Sequence, residues 1–258
     1  MSLNPGSIEA VDDETLKLAL RFLPEIARRS KQNFFKLAAE FLPELIAGAG
    51  MLRIPKLIVL VELTEPSLDQ MHQKLTQLDD VIKANKYRGF ILKEGTEQKY
   101  WTVRRESFNL LRQHSRGLHA APFIDDVSVP IDVMSDFLRK MLEVLSEYQL
   151  HVTLAGHAGE GNFHIIPLLN FKNKEEVNKI PIVSDLVYDL VIEYGGSITG
   201  EHNDGIIRSR YLPKQFGSKM FDLFVEVKNI FDAENIFNPG KKVGFENTFP
   251  FDRIRTDW

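Results

Sequence analysis

The chain has 258 residues, with 32 Lys and Arg against 36 Asp and Glu, a formal net charge of −4, and 43% of its residues are apolar. This length fits one large domain or two small ones with a sizeable core. The mildly acidic balance lacks the basic footprint of nucleic-acid binding, so we expect no nucleic acid as a partner. The sequence contains no cysteine, which excludes disulfides, thiolate metal sites, iron–sulfur clusters and a cysteine nucleophile within this chain.

No apolar run is long enough to predict a membrane span. The longest, within residues 54–63, falls far short of the ~18 to 20 residues that a span needs. Residues 1–6 lack the basic and apolar regions of a secretory signal and are compatible with a cloning remnant. We therefore expect a cytoplasmic protein.

In chain order, the first predicted element is helical. Asp12 and Asp13 suit a helix start, and leucines recur at helical spacing, so residues 12–47 are predicted to form one or two helices, kinked or broken at Pro24 and Pro43. Strands and helices of crossover length then alternate. The predictions are strand 54–63, helix 67–84, strand 88–93, helix 97–113, strand 121–129, helix 132–148, strands 151–157 and 163–168, and helices 175–194 and 216–231.

This alternation predicts an α+β fold. Two βαβ-like units in tandem suggest a ferredoxin-like duplication, with helices on one face of a mostly antiparallel sheet and flanking helices at both ends. A doubly wound nucleotide-binding fold is disfavoured, because the sequence contains neither G-x-G-x-x-G nor G-x-x-x-x-G-K-S/T.

The first chemically notable segment is residues 157–164, H-A-G-E-G-N-F-H. His157 ends one predicted strand and His164 begins the next, with two glycines in the turn between them. Paired strands lie ~5 Å apart, so the two imidazoles can converge on one ion. Without sulfur ligands, zinc or manganese is the natural occupant. The alternative interpretation is that both histidines are structural residues beside a tight turn.

The second segment is residues 195–205, which hold four glycines in eleven positions. Such a loop takes positive φ angles or lets another group approach closely. It carries Glu201, His202 and Asp204, which can bind a metal or transfer protons. A solvated turn is the alternative, but two glycine-rich segments that both contain histidine favour one shared site.

These segments resemble a known family. Residues 157–164, residues 195–202 and F-N-P-G-K at residues 237–241 resemble three signatures of the C-terminal cap domain of FAD-linked oxidases, of the vanillyl-alcohol oxidase type. That group includes D-lactate dehydrogenase, the flavin-binding chain of glycolate oxidase and D-2-hydroxyglutarate dehydrogenase. Residues 101–104 and 122–130 resemble further segments of the family, and residues 200–208 are most similar to large bacterial members with an iron–sulfur domain downstream.

The resemblance implies a role for each matched residue. It implies that His157, His164 and Glu201 bind a divalent ion, zinc or manganese, and that His202 is the catalytic base. Arg104 would pair with the substrate carboxylate. Asn238 lies in the segment that faces the flavin domain in relatives, which makes it a candidate cofactor-binding residue.

The resemblance also implies a domain plan and an activity. We expect an N-terminal helical segment at residues 1–50, the cap domain at 51–245 and a tail at 246–258. The chain would be an excised cap of a dehydrogenase that oxidises a D-2-hydroxy acid of the lactate, glycolate or 2-hydroxyglutarate class. FAD would be bound mainly by an N-terminal domain that this chain lacks, so we expect the isolated chain to be inactive, and an iron–sulfur domain is a further expected partner.

Some features leave the substrate and the class of protein open. Phe108 and Ile124 stand where D-2-hydroxyglutarate enzymes have a threonine and a lysine that contact the distal carboxylate. A non-catalytic, small-molecule-binding regulatory module of ferredoxin-like fold is the main alternative function. A metal-dependent hydrolase is a weaker one, because the sequence lacks the H-E-x-x-H helix of the common metalloproteases.

Overall fold

The computed structural model describes residues 3–21, 23–29, 55–89, 91, 100–101 and 117–254. The chain divides into two compact units. Unit 1 comprises Met1–His114 with Ala155–Gly159, and unit 2 comprises Ser115–Leu154 with Glu160–Trp258. Among the described residues, no helix has both the length and the apolar character needed to cross a membrane.

Unit 1 contains three antiparallel strands and three helices. Strand β1 (Ser7–Asp12) pairs with β2 (Leu57–Glu62) along its whole length, and with the last residues of β5 (His151–His157). The helices are α1 (Asp13–Arg21), α2 (Leu23–Arg29) and α3 (Leu68–Ala84). The strand and the helix predicted near residues 57–62 and 68–84 are confirmed.

The start of the chain differs from the prediction of a helical N-terminal segment. Residues 7–12 form strand β1, and the first helix begins only at Asp13, where Asp12 Oδ1 accepts a hydrogen bond of 2.8 Å from Thr15 N. The strand was missed because Ser7, Glu9 and Asp12 interrupt its apolar pattern. Residues 30–47 of the predicted helical stretch lie outside the described residues.

Unit 2 is a mixture of helices and antiparallel strands. The short strands β3 (His119–Ala120) and β4 (Val127–Ser128) both pair antiparallel with β6 (Asn162–Leu169). The helices are α4 (Met134–Glu147), α5 (Lys174–Glu193), α6 (Leu212–Phe216) and α7 (Ser218–Phe231). Fully buried side chains of α4, α5 and β6 form its core, among them Phe137, Met141, Val187, Tyr188, Phe163 and Ile165.

The helix predictions hold well in this unit, while one strand prediction is wrong. Helices α4, α5 and α7 match predicted elements to within two residues, and α5 contains Pro181 as expected. The strand predicted at 121–129 survives only as β4, because the chain turns at Phe123 and Ile124 and Asp126 has a φ of +66°. The turn aims the Asp126 carboxylate at a distant loop, and those contacts outweigh the local strand preference.

Two further predictions fall largely outside the described residues. Of the strand predicted at 88–93, residues 88, 89 and 91 are described and are not in a strand. Of the helix predicted at 97–113, only Tyr100 and Trp101 are described, and both are helical. An antiparallel sheet combined with helices is confirmed.

Candidate functional site

Four side chains of unit 2 converge on one point. Asp126, His164, Glu201 and His202 each place one nitrogen or oxygen atom within 4.8 Å of the others. His164 lies on β6, Asp126 immediately precedes β4, and Glu201 and His202 belong to the glycine-rich loop after α5. These elements are far apart in sequence, so the fold of unit 2 creates the site.

Backbone hydrogen bonds hold the glycine-rich loop beside β4. Ser128 N donates to Ser197 O at 2.9 Å, and Ser197 N donates to Ser128 O at 2.7 Å. Gly196 fits here because a Cβ atom would collide with Ser128 O and lie 2.8 Å from Val129 Cγ1. Gly195 has a φ of +68°. The loop therefore uses glycine both for close approach and for positive φ, as its composition predicts.

The buried carboxylate of Asp126 organises the loop. It accepts hydrogen bonds from the backbone N–H groups of Gly200, Glu201 and His202 at 2.8–3.2 Å, and from Thr199 Oγ1 at 2.8 Å. Burial acts to raise its pKa, but the backbone donors of His202 and Glu201 and the side-chain donors outweigh burial and lower the pKa from 3.8 to about 2. Asp126 is thus ionised and bound to the loop that carries the functional residues.

Asn162 completes this contact from the β6 side. Its Nδ2 donates to Asp126 Oδ1 at 3.0 Å and to Val127 O at 3.3 Å. Gly200 packs so closely against this amide that a Cβ atom at that position would collide with Nδ2. The asparagine and the glycine together fix the distance between the hairpin and the loop.

The neighbouring carboxylate, Asp125, contacts both histidines of the site. Its Oδ1 lies 3.1 Å from His164 Nδ1 and its Oδ2 lies 3.2 Å from His202 Nδ1. The two imidazole rings stack at 23° with centroids 5.1 Å apart. Both rings therefore have their Nδ1 atoms on one buried carboxylate.

The opposite nitrogens of the two rings face Glu201. Its Oε1 lies 3.1 Å from His164 Nε2 and 3.6 Å from His202 Nε2. The side chains of Glu201 and His202 are 49% and 44% exposed, whereas that of His164 is 12% exposed. One face of the cluster is thus open to a ligand and the other is packed.

The charges around His164 affect its protonation. Burial acts to lower its pKa, but the hydrogen bond to Asp125 and the negative charges of Asp125, Glu201 and Asp126 outweigh burial and raise the pKa above its usual value. A site that favours a proton between carboxylates also suits a divalent cation. Imidazole nitrogens held by a carboxylate on their far side, with a carboxylate ligand beside them, are the donor set of a zinc or manganese centre.

A buried arginine and tyrosine support the turn that carries Asp125. Arg208 donates through Nη2 to Asp125 O, through Nη1 to Asn203 O at 2.6 Å and through Nε to Tyr188 Oη at 3.2 Å. Tyr188 Oη donates to Phe123 O at 2.5 Å, and burial raises the pKa of Tyr188 to about 12 against the opposing charge of Arg208. These bonds tie the Asp125 turn to α5 and to the end of the Glu201–His202 segment.

Comparison with known proteins identifies the family. The sequence profile of "FAD linked oxidases, C-terminal domain" matches residues 1–242. The chain belongs to this family. The profile match, together with the curated relatives below, bears out the resemblance seen in the three sequence signatures.

Curated relatives of this FAD-linked oxidase domain are dehydrogenases and oxidases. D-2-hydroxyglutarate dehydrogenase of Pseudomonas putida is 29% identical over 246 residues, which cover 93% of this chain and 23% of that protein. Glycolate oxidase subunit GlcD of Bacillus subtilis is 25% identical, with 76% of this chain and 41% of that protein covered. D-lactate dehydrogenase of Anaerostipes hadrus is 36% identical over 117 residues, 45% of this chain and 25% of that protein. The chain therefore spans less than half the length of these relatives.

A solved structure shares the fold. The 4-ethylphenol oxidase from Gulosibacter chungangensis, in its isoeugenol complex, superposes with a TM-score of 0.53 at 12% identity, covering 92% of this chain and 47% of that chain. At this identity the similarity concerns the fold alone.

The structure brings together part of the site predicted for this FAD-linked oxidase domain. His164, Glu201 and His202 lie in one cluster. His157 belongs to unit 1, where its Nδ1 lies 2.6 Å from Glu9 Oε1, and its role as a ligand stays a prediction. Arg104 lies outside the described residues.

Two other highlighted residues occupy structural positions near the site segments. Asn238 is exposed with a φ of +49°, and its backbone carbonyl accepts from Lys241 N at 3.2 Å, as in a chain-reversing turn. Asp204 is buried and forms an ion pair with Lys242. The cofactor role of Asn238 stays a prediction.

The sequence analysis assigned no role to Asp125 and Asp126. Both are buried, and they form the two hydrogen-bonding centres of the site. A signal was present, because two consecutive carboxylates stand between the apolar residues Phe123, Ile124 and Val127. Burying charges is costly unless they are paired, so adjacent acids in an apolar segment indicate a functional site.

Proposed function

We propose that this domain is the substrate- and metal-binding cap of an FAD-dependent dehydrogenase that oxidises a D-2-hydroxy acid of the lactate, glycolate or 2-hydroxyglutarate class. The observation that supports it best is the convergence of His164 Nε2, His202 Nε2 and Glu201 Oε1 above the Asp125 carboxylate. The names of the relatives point to hydroxy acids as substrates. In this proposal FAD is bound mainly by another domain of the full-length protein, and an iron–sulfur domain is a further partner.

In the proposed reaction, a bound divalent ion supplies a Lewis acid for the substrate hydroxyl and the flavin supplies a hydride acceptor. His164 and Glu201 hold the ion, with His157 as a further ligand. His202 removes the hydroxyl proton at Nε2, while Asp125 holds its Nδ1. Arg104 pairs with the substrate carboxylate, and Asn238 lies near the flavin.

The two histidines of the cluster differ in a way that supports separate roles. His164 is the more buried and lies closer to Glu201, at 3.1 Å against 3.6 Å for His202. A metal ligand benefits from a rigid, packed position, whereas a base has to reach a substrate proton. We therefore assign His164 to the ion and His202 to the proton.

The proposal carries the rest of the predicted organisation with it. It includes the ferredoxin-like duplication, a helical segment at residues 1–50, a cap at 51–245 and a tail at 246–258. Support for the cap assignment is the family match over residues 1–242.

Metal titration of the chain tests the ligand assignment. We expect calorimetry to show binding of Zn²⁺ or Mn²⁺ by the wild type and its loss in His164→Asn. His202→Asn should bind within about threefold of the wild type, because a base is not required to hold the ion. His151→Asn, at an exposed position of β5, is the matched control and should bind like the wild type. Equal binding by the wild type and His164→Asn would contradict the assignment.

Substrate recognition can be tested with the same sample. Mn²⁺ bound at the site should broaden the proton resonances of D-lactate or D-2-hydroxyglutarate more strongly than those of the L enantiomers, and His164→Asn should abolish the difference. Equal broadening of both enantiomers would contradict the substrate class. Hydroxy-acid binding that is unaffected by metal removal would favour the regulatory-module alternative.

A further inference from the structure

Asp125 is the one carboxylate in the described part of unit 2 that contacts the Nδ1 atoms of both site histidines. It is 5% exposed, and its two oxygens divide between the rings, with Oδ1 3.1 Å from His164 Nδ1 and Oδ2 3.2 Å from His202 Nδ1. An ionised carboxylate can only accept hydrogen bonds, so each Nδ1 has to donate. A neutral imidazole carries one N–H, which leaves the Nε2 of each ring with a lone pair.

The ring geometry presents these two lone pairs on the same side. The imidazoles stack at 23° with centroids 5.1 Å apart, and both Nε2 atoms face Glu201 Oε1. One carboxylate thus sets the orientation of two rings that come from different segments of the chain. A separate partner for each ring would leave the two orientations independent.

We propose that Asp125 is a positioning residue that fixes the Nδ1–H tautomer of His164 and of His202 together. This inference rests on the proposed function, in which His164 Nε2 binds the ion and His202 Nε2 takes the substrate proton. Neither role is available to a ring whose Nε2 carries the hydrogen. Asp125 therefore makes both nitrogens competent at once without contacting the ion or the substrate itself.

Arg208 maintains Asp125 in this position. The buried guanidinium donates to the backbone carbonyl of Asp125 and to that of Asn203, the residue that follows His202. It therefore ties the carboxylate to the segment that bears one of its two rings. The planar fork of arginine reaches two carbonyls in fixed directions, which a lysine ammonium does not.

Replacement of Asp125 by asparagine separates this role from simple packing. The asparagine side chain has nearly the same shape but offers one acceptor oxygen and one donor NH₂ group. It can accept from one Nδ1–H only, and the ring facing its NH₂ group has to present an unprotonated Nδ1. That ring then carries its hydrogen on Nε2, where the hydrogen blocks the lone pair.

Nitrogen-15 NMR of the metal-free chain measures the tautomers directly. At a pH where all imidazoles are neutral, long-range ¹H–¹⁵N correlations distinguish Nδ1–H from Nε2–H rings, and His164→Asn and His202→Asn spectra assign the two signals. We expect Nδ1–H for both rings in the wild type and Nε2–H for one of them in Asp125→Asn. An Nε2–H signal from either ring in the wild type would overturn the inference, and this result needs no variant of Asp125 to fold.

Metal affinity provides the second readout. Loss of a carboxylate that orients a ligating histidine weakens metal binding by about 10- to 100-fold, and we expect this for Asp125→Asn with Zn²⁺. Asp132→Asn, which removes an exposed carboxylate from the same unit, should bind like the wild type. Unchanged affinity and unchanged tautomers in Asp125→Asn would overturn the inference while leaving the proposed function intact. Absence of Zn²⁺ binding by the wild type would instead refute the metal site, and the tautomer spectrum would still decide the role of Asp125.

Discussion

The hydrogen bonds of Asp126 predict a large loss of stability in Asp126→Asn. The carboxylate accepts bonds from three consecutive backbone N–H groups and two side chains, and its pKa falls from 3.8 to about 2. At 1.36 kcal/mol per pKa unit, the folded state favours the ionised form by about 2–3 kcal/mol. Asparagine also turns an NH₂ group towards these donors, and each buried donor left without an acceptor costs about 1–3 kcal/mol. We expect a total loss of roughly 3–5 kcal/mol.

Urea denaturation followed by circular dichroism measures this loss. The matched control is Asp132→Asn, which removes one exposed carboxylate and should change the free energy of unfolding by less than about 0.5 kcal/mol. If Asp126→Asn lies as close to the wild type as this control does, the organising role of the carboxylate is wrong.

The pH dependence supplies an independent check on Asp126. Its folded-state pKa is depressed, so its contribution to stability is fully present above 3.8 and is lost as the pH falls towards 2. The difference in stability between the wild type and Asp126→Asn should therefore narrow over that interval. A difference that stays constant from above 3.8 down to 2 would show that ionisation of Asp126 is not its source.

Two further substitutions test the scaffold of the site. Gly161→Ala should destabilise the chain by roughly 3 kcal/mol or more, because its φ of +66° disfavours alanine and a Cβ atom would collide with Val129 O, whereas Gly195→Ala, with similar φ and open space, should lose only about 1–2 kcal/mol; equal losses in thermal denaturation would exclude the collision as a cause. Tyr188→Phe should lose about 1–3 kcal/mol because it leaves a buried carbonyl and a guanidinium N–H without the hydroxyl, while Tyr87→Phe at an exposed position should be neutral, and a neutral Tyr188→Phe would contradict the support network.

Much of the fold could be predicted because its helices and longer strands carry their own periodic signals. Helix α3 has an amphipathic pattern and a Ser67 cap, and β5 and β6 are apolar runs around a glycine-containing turn. Strand β1 has no comparable signal. Its place in the sheet depends on pairing with residues 57–62, about 50 positions further along the chain.

The candidate site was predicted in part for a related reason. His164, Glu201 and His202 stand in glycine-rich segments whose composition is itself unusual, so the sequence singles them out. Asp125 and Asp126 stand in a segment that reads as an ordinary buried strand. Their importance depends on donors that lie 36 to 77 residues away along the chain.

The adjacency of these two aspartates explains why the strand prediction had to fail at this point. In a regular strand, consecutive side chains point to opposite faces of the sheet, so two neighbouring carboxylates could not both serve one site. The left-handed conformation of Asp126 breaks the alternation and lets Asp126 bind the backbone of the glycine-rich loop while Asp125 binds the imidazoles. A backbone conformation that is unfavourable for a non-glycine residue is stabilised here by the hydrogen bonds that it makes possible. The break in secondary structure and the assembly of the site thus have the same physical cause.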